Sequence, residues 1–302
     1  MTVSTPAQTR PARPMRPMRP RELEDGLNYH LYHPLAWRLA LLLAKTPLTP
    51  NIVSVIGGLH VVAAAVVYGW LWPQPGWGSA AALLGMALHM AWHVWDGADG
   101  DLARITGKAS PFGEMVDGLC DYASHVVLYL VLGWLLSHQI GPWWAWPVTV
   151  GAGVAHIIQA NHVEVQKRSY QWWVYNKPWM RQTRDKADAA TRRGTSGALV
   201  GLYLYVAAKF AGSTHLIDAA VDEAQGNPAR LEAIRTAARA EAPTLLGLLR
   251  VLGPNPRAIM LGISMLLGSP LWYFLWLIVG LNGLLVLSIH LHNRAAERIL
   301  AA

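Results

Sequence analysis

Apolar runs of about twenty residues recur along this chain, the length an α-helix needs to cross roughly 30 Å of hydrocarbon. The first runs from Ile52 to Trp72 and ends at the turn Pro73-Gln74-Pro75-Gly76. A second starts near Trp77, stays apolar to Trp95 and then turns acidic, with no strong breaker before Gly107. A third begins acidic near Pro111 and continues through Leu136, and the turn at 137–141 leads into a fourth over 142–160. The last apolar region, 257–291, is divided by Gly268-Ser269-Pro270 into a short span and a longer one. Ahead of them all, residues 29–45 carry a stretch too short to cross, flanked by Arg38 and Lys45, which predicts a helix lying in the headgroup plane.

Loop charge orients these segments. The turns at 73–76, 137–141 and 268–270 contain no Lys or Arg, whereas the N-terminal arm, the loop with Lys108, the stretch 161–193 and the tail with Arg294 and Arg298 are basic. Six crossings with both termini in the cytoplasm satisfy every loop. Residues 196–211 are apolar enough for a seventh, but one crossing there would place Arg294 and Arg298 outside. Residues 194–252 are therefore expected as a cytoplasmic helical insert, with a helix pair around Gly226-Asn227-Pro228. The expected fold class is an all-α integral membrane protein of six transmembrane helices, with an N-terminal interfacial helix and that insert. Its divisions are a disordered basic arm (1–28), the interfacial helix and four spans (29–193), the insert (194–252), and two spans with a tail (253–302).

Composition sharpens this picture. The chain is 53% hydrophobic and 14% charged, against about 25% charged in soluble domains. Its net charge of +7 gathers in the arm, with its repeated Arg-Pro-Met unit, and in one internal polar stretch. That placement suits anionic lipid headgroups and argues against a nucleic-acid partner. Residues 1–28 lack the apolar core of a cleavable signal. A single cysteine, Cys120, excludes an internal disulfide and any multi-cysteine metal site. The expected setting is multi-pass in the inner membrane of a bacterium.

The chemistry concentrates at 96–121, DGADGDLARITGKASPFGEMVDGLCD. Asp96, Asp99, Gly100, Ala103 and Arg104 fall at i, i+3, i+4, i+7 and i+8, on one helical face; Gly113, Asp117 and Asp121 fall at i, i+4 and i+8 on the next helix. A reversal at Gly107–Pro111 lets the helices pair antiparallel, so that two carboxylates from each converge. Acids at a membrane border are costly and mark function. Two divalent cations, Mg²⁺ or Mn²⁺, relieve their repulsion with all-oxygen ligation, and such a pair can polarise a pyrophosphate. Gly100, Ala103 and Gly113 let phosphates approach the backbone, and Arg104 can pair with one through its planar fork.

The pattern Asp96-x2-Asp99-Gly100-x2-Ala103-Arg104-x8-Gly113-x3-Asp117-x3-Asp121 resembles the signature of the CDP-alcohol phosphotransferase family at every fixed position. The resemblance implies that Asp96, Asp99 and Asp117 ligate metal, with Asp121 joining the second ion. It further implies that Asp121 is the general base, taking the acceptor's proton as its hydroxyl attacks the β-phosphate and CMP leaves. Asn51, Asp99, Gly100, Ala103, Arg104 and Gly113 would hold CDP. Family members also tend to carry a Pro-Asn pair and a hydroxyl residue before the first span, here Pro50, Asn51 and Ser54. The family also implies a homodimer.

The acceptor is less legible. Gln159, Lys167 and Arg168 continue the fourth span towards the cytoplasm and are candidates for binding an acceptor's phosphate. Tyr170, Trp172, Trp173, Tyr175 and Trp179 either enclose a quaternary ammonium or form an interfacial belt. His93 and His125 lie at helical spacing from Asp96 and Asp121 and can face the site, although a histidine bonded to backbone is the commoner case. The expected function is transfer of a phosphatidyl group from CDP-diacylglycerol to a small polar alcohol. The alternatives are transfer from a soluble CDP-alcohol to diacylglycerol or another lipid alcohol, and, from another class, a carboxylate-lined cation transporter.

Overall fold

In a computed structural model, residues 15–16, 19–177 and 212–301 are described. The predicted disorder of residues 1–14 and 17–18, the seventh apolar stretch at 196–211 and Trp179 lie outside them. The described chain is helical, with no strand, and it is a membrane protein by the length and apolarity of its helices.

After a turn at Asn28–Tyr32, helix α1 covers His33–Leu43. It is followed by α2 (Pro50–Leu71), α3 (Gly78–Ile105), α4 (Pro111–Ile140) and α5 (Pro142–Tyr175). Short helices α6 (Thr214–Glu223), α7 (Pro228–Ala240), α8 (Ala242–Val251) and α9 (Pro254–Leu266) precede the long α10 (Leu271–Leu300).

Three described helical stretches are long and apolar enough to cross a membrane: α2, Phe112–Ile140 of α4, and α10. The sequence predicts six. Along α3 and α5, His89, His93, Gln159, His162 and Gln166 are buried within the protein, and these polar side chains lower the mean hydropathy of both helices. Helix α9 has 13 residues, or about 20 Å of rise. Helix α5 runs without a break to Tyr175, carrying the polar stretch after Ala160 on the same helix as the fourth apolar run.

Helix α2 packs against both α3 and α4, while α3 and α4 make little direct backbone contact. The expected close antiparallel pair is in fact splayed by α2, and the gap between α3 and α4 becomes the site. Adjacent glycines permit the wedge. A Cβ on Gly57 would stand 3.3 Å from Trp95 on α3, and one on Gly58 would stand 3.4 Å from the Cys120 carbonyl on α4. Ala is therefore tolerated at 58. Leu is overpacked, and Gly58→Leu is expected to cost about 1–3 kcal/mol, seen as a lower unfolding midpoint of the detergent-solubilised protein.

Helix α1 buttresses the acidic end of α3. Ala36, Ala40, Leu43, Val53, Ala98 and Leu102 form a separate buried cluster. Residues 19–28, predicted as part of the disordered arm, form an ordered strap across the same end. Leu23 is buried, Glu22 accepts from the Tyr170 and Tyr175 hydroxyls at 2.9 and 2.6 Å, and Asp25 accepts from Asn255 at 2.9 Å. The acids of the strap thus find partners on α5 and α9, which the basic composition of residues 1–28 conceals. Burial raises the Glu24 carboxyl's pKa, but the His33 hydrogen bond and charge outweigh it and hold it below the ordinary value.

Helices α6–α8 occupy most of the expected insert, whose part 194–211 is not described. They pack on the ends of α5 and α10: Trp173 donates to Asp218 at 2.7 Å, and Arg298 pairs with both Glu241 oxygens at 2.6 and 2.7 Å.

Candidate active site

The reversal between α3 and α4 is local chemistry. Gly107 takes the left-handed conformation (φ +66°), and the Ser110 side chain caps α4 by accepting from the Gly113 N–H at 3.1 Å. The two acidic faces then meet across the gap. One carboxylate oxygen from each of Asp96, Asp117 and Asp121 lies within 4.8 Å of the others. The Asp96 carboxyl also meets that of Asp121, and the Asp99 carboxyl that of Asp117. Asp99 accepts from Ser54 Oγ at 2.5 Å, and Asp121 from the Trp92 indole N–H at 2.8 Å.

No Lys or Arg forms an ion pair with these four acids among the described residues. Two unit charges 4 Å apart repel by about 4 kcal/mol at an effective dielectric of 20. Divalent cations would relieve that repulsion, and a donor set of oxygen alone fits hard ions of that kind. Arg104, in the same cleft as Asp99 and Asp117, is bonded to Asp101, a buried acid outside the motif that also lies 3.5 Å from Arg19 of the strap.

Asn51, Asp99, Gly100, Ala103, Arg104 and Gly113, the residues expected at CDP, all line one cleft of about 130 Å³, with Ser54, Lys108 and Asp117. Added side-chain bulk would fill it: a Cβ on Gly100 would lie 3.5 Å from the Arg104 guanidinium, and one on Gly113 3.5 Å from Asn51 Oδ1.

Asp121 lines a second, larger cavity of about 640 Å³ between α3, α4, α5 and α9. Of the expected acceptor residues, Lys167 stands in its wall. Gln159 does not; its amide donates to the Leu277 carbonyl and Asn282 at 2.9 and 2.8 Å, towards α10. Arg168 is turned outward to Glu164 at 2.6 Å. Of the two alternatives for the aromatics, Tyr170, Trp172 and Trp173 form neither an enclosure nor an exposed belt, since they are packed in the core under α6–α8. His125 lines the cavity and is held by backbone, with Nδ1 2.8 Å from the Asp121 carbonyl and Nε2 3.3 Å from His89 Nε2. His93 instead stacks on Tyr32.

Sequence reasoning missed Trp92 and Asp101. Trp92 stands four residues before Asp96, a spacing that could have found it. Loss of its N–H in Trp92→Phe removes a hydrogen bond to a charged acceptor, worth about 1.5–3 kcal/mol. The expected result is a fall in turnover of about 10- to 100-fold together with a lower unfolding midpoint.

The sequence profile of the CDP-alcohol phosphatidyltransferase family matches residues 47–224. The chain is similar to an archaetidylinositol phosphate synthase of Aeropyrum pernix, 34% identical over 100 residues, covering 32% of this chain and 47% of that protein. It is also similar to an uncharacterized CDP-alcohol phosphatidyltransferase class-I family protein 2 of Dictyostelium discoideum, 28% identical over 113 residues, covering 36% of this chain and 26% of that one. The chain thus spans less than half the length of these curated relatives. No solved structure matches it significantly.

Proposed function

The chain belongs to the CDP-alcohol phosphatidyltransferase family, and from that membership we propose that it transfers the phosphatidyl group of CDP-diacylglycerol to the hydroxyl of a small polar alcohol, releasing CMP. One observation carries this reading: the aspartate cluster bridges a polar cleft and a largely apolar cavity, with Asp96 within 4.8 Å of Asp117 and Asp121. Asp99 and Asp117 line the first, and Asp121 lines the second. A nucleotide diphosphate and a lipid or alcohol can then reach one cluster from two sides.

Asp96, Asp99, Asp117 and Asp121 would hold two divalent cations, Mg²⁺ or Mn²⁺. When bound, these supply charge neutralisation and polarise the pyrophosphate. Asn51, Gly100, Ala103, Arg104 and Gly113 bind CDP. The small cleft takes the phosphates and leaves the base at its open mouth. Ser54 fixes Asp99, and Trp92 fixes Asp121. Asp121 takes the acceptor's proton as the alcohol oxygen bonds to the β-phosphorus, and the bond from that phosphorus to the bridging oxygen breaks, so CMP leaves. On this reading α3, α5 and α9 complete six crossings, both termini and the cleft face the cytoplasm, and the protein works as a homodimer.

The size and apolarity of the second cavity favour one alternative, a lipid alcohol as acceptor and a soluble CDP-alcohol as donor. Assaying CMP release from CDP-diacylglycerol with a panel of polar alcohols, and from CDP-choline or CDP-ethanolamine with diacylglycerol, separates the two. Release only in the second set reverses the direction proposed. Absence of CMP release in both, with saturable metal uptake into vesicles, favours a cation transporter.

A further inference from the structure

Arg104 faces a cleft that holds two of the four aspartates, yet it pairs with neither. Arg104, Asp99 and Asp117 line the same space of about 130 Å³. Among the described residues, the only carboxylate bonded to the Arg104 guanidinium is that of Asp101, 2.5 Å from Nη2. Asp101 lies three residues earlier on α3 with its side chain 3% exposed, while that of Arg104 is half-exposed. The strap holds Asp101 from the other side, with Arg19 Nη2 3.5 Å from the same Oδ1 that takes Arg104. Arg19 is itself fixed: its Nη1 donates to His33 Nδ1 at 2.8 Å, and His33 Nε2 lies 2.7 Å from Glu24 Oε2. Drawn back in this way, the Arg104 fork lies over Gly100, where a Cβ would stand 3.5 and 3.6 Å from Nη2 and Nη1.

A guanidinium beside an acidic cluster has two ways to lower its energy. It can pair with Asp99 or Asp117, which takes an oxygen from any cation held there, or it can be held by an acid outside the cluster. Asp101 supplies the second. A buried carboxylate without a counter-charge is costly, and two guanidiniums on one oxygen account for an acid in this position. Arg19 and Arg104 against Asp101 leave a single positive charge. Arg104 is therefore restrained without being neutralised, and its remaining N–H groups can take a phosphate. We propose that Asp101 is a positioning residue, which keeps Arg104 off the four aspartates and at the phosphate side of the cleft. The inference rests on the phosphatidyl-transfer reading and adds to it a residue outside the motif. No bond of the transfer forms or breaks at Asp101.

The test reads metal binding first, on the full chain in nanodiscs without nucleotide, from the electron paramagnetic resonance of free Mn²⁺. Asp101→Asn keeps the shape and loses the charge. It should weaken Mn²⁺ binding by about 10- to 100-fold, the range set by one hydrogen bond between charged groups, because the released Arg104 competes for Asp99 and Asp117. Removing the competitor as well, in Asp101→Asn/Arg104→Gln, should restore wild-type affinity, a recovery that a merely structural role for Asp101 would not give. In a second arm at saturating Mn²⁺, KM for CDP-diacylglycerol should rise about tenfold in Asp101→Asn with kcat little changed. Wild-type Mn²⁺ affinity in Asp101→Asn overturns the inference. So does a double variant that binds no tighter than the single one, or a loss confined to kcat. Each of these leaves the transfer reaction standing. A wild type that binds Mn²⁺ but releases no CMP unseats the transfer reading, and the metal arm alone then decides Asp101. A wild type that binds no Mn²⁺ overturns the inference together with the cation site. Should Asp101→Asn not fold, the smaller Asp101→Ser is read in its place, with and without Arg104→Gln.

Discussion

Asp121→Asn is expected to lower CMP release by about 10²- to 10⁴-fold, the usual contribution of a positioned general base, without unfolding the protein. The substitution keeps the shape, and an amide oxygen can still accept the Trp92 N–H that Asp121 holds at 2.8 Å. What it removes is the proton acceptor and one of the charges crowded within 4.8 Å. Those losses have opposite consequences. Catalysis suffers, but repulsion among the remaining carboxylates falls, so in chelator the variant should unfold at a higher temperature than the wild type. Measuring both quantities on one preparation makes the prediction strict. Activity within tenfold of wild type would remove Asp121 from its role. A lower midpoint in chelator would show that the cluster is held together by its own hydrogen bonds, with repulsion of little account.

How far the sequence announces this site depends on which physical rule each residue obeys. The eight motif positions are legible because helical spacing fixes a face whatever the tertiary structure does, and Gly107 with Ser110 fixes the reversal by local backbone chemistry. The wedge of α2 between α3 and α4 is not legible, since Gly57 and Gly58 read equally well as ordinary membrane-helix glycines. Helix α5 misleads for a related reason. It buries polar side chains on more than one side, with Gln159 towards α10, Gln166 towards Thr214 and Lys167 towards the cavity, so its periodicity nominates no single functional face. The same inward polarity lowers the mean hydropathy of α3 and α5, whereas α2, α4 and α10 stay apolar along their length. Asp101 is the extreme case. In sequence it is one more acid beside the motif, and only its burial between Arg19 and Arg104 sets it apart.

Stripping divalent metal should abolish CMP release, and Mg²⁺ or Mn²⁺ should restore it. The stronger form of this prediction concerns stability. A cluster of acids that no Lys or Arg pairs among the described residues binds cations only when folded, because the unfolded chain separates α3 from α4. Linkage then requires metal to stabilise the fold, by about 2.7 kcal/mol at a free concentration one hundred times the dissociation constant. The rise in unfolding midpoint with Mg²⁺ should shrink in Asp96→Asn and Asp117→Asn, which each remove a ligand from the compact group. It should persist in Ser54→Ala, which loosens Asp99 without removing a carboxylate. CDP should steepen the metal titration, since phosphates in the cleft lined by Asp99 and Asp117 add oxygens to the same ions. A carboxylate-lined transporter would show the stabilisation without the nucleotide effect. A midpoint indifferent to metal in the wild type would leave the four acids without the cations their geometry demands, and two-metal catalysis would have to be abandoned.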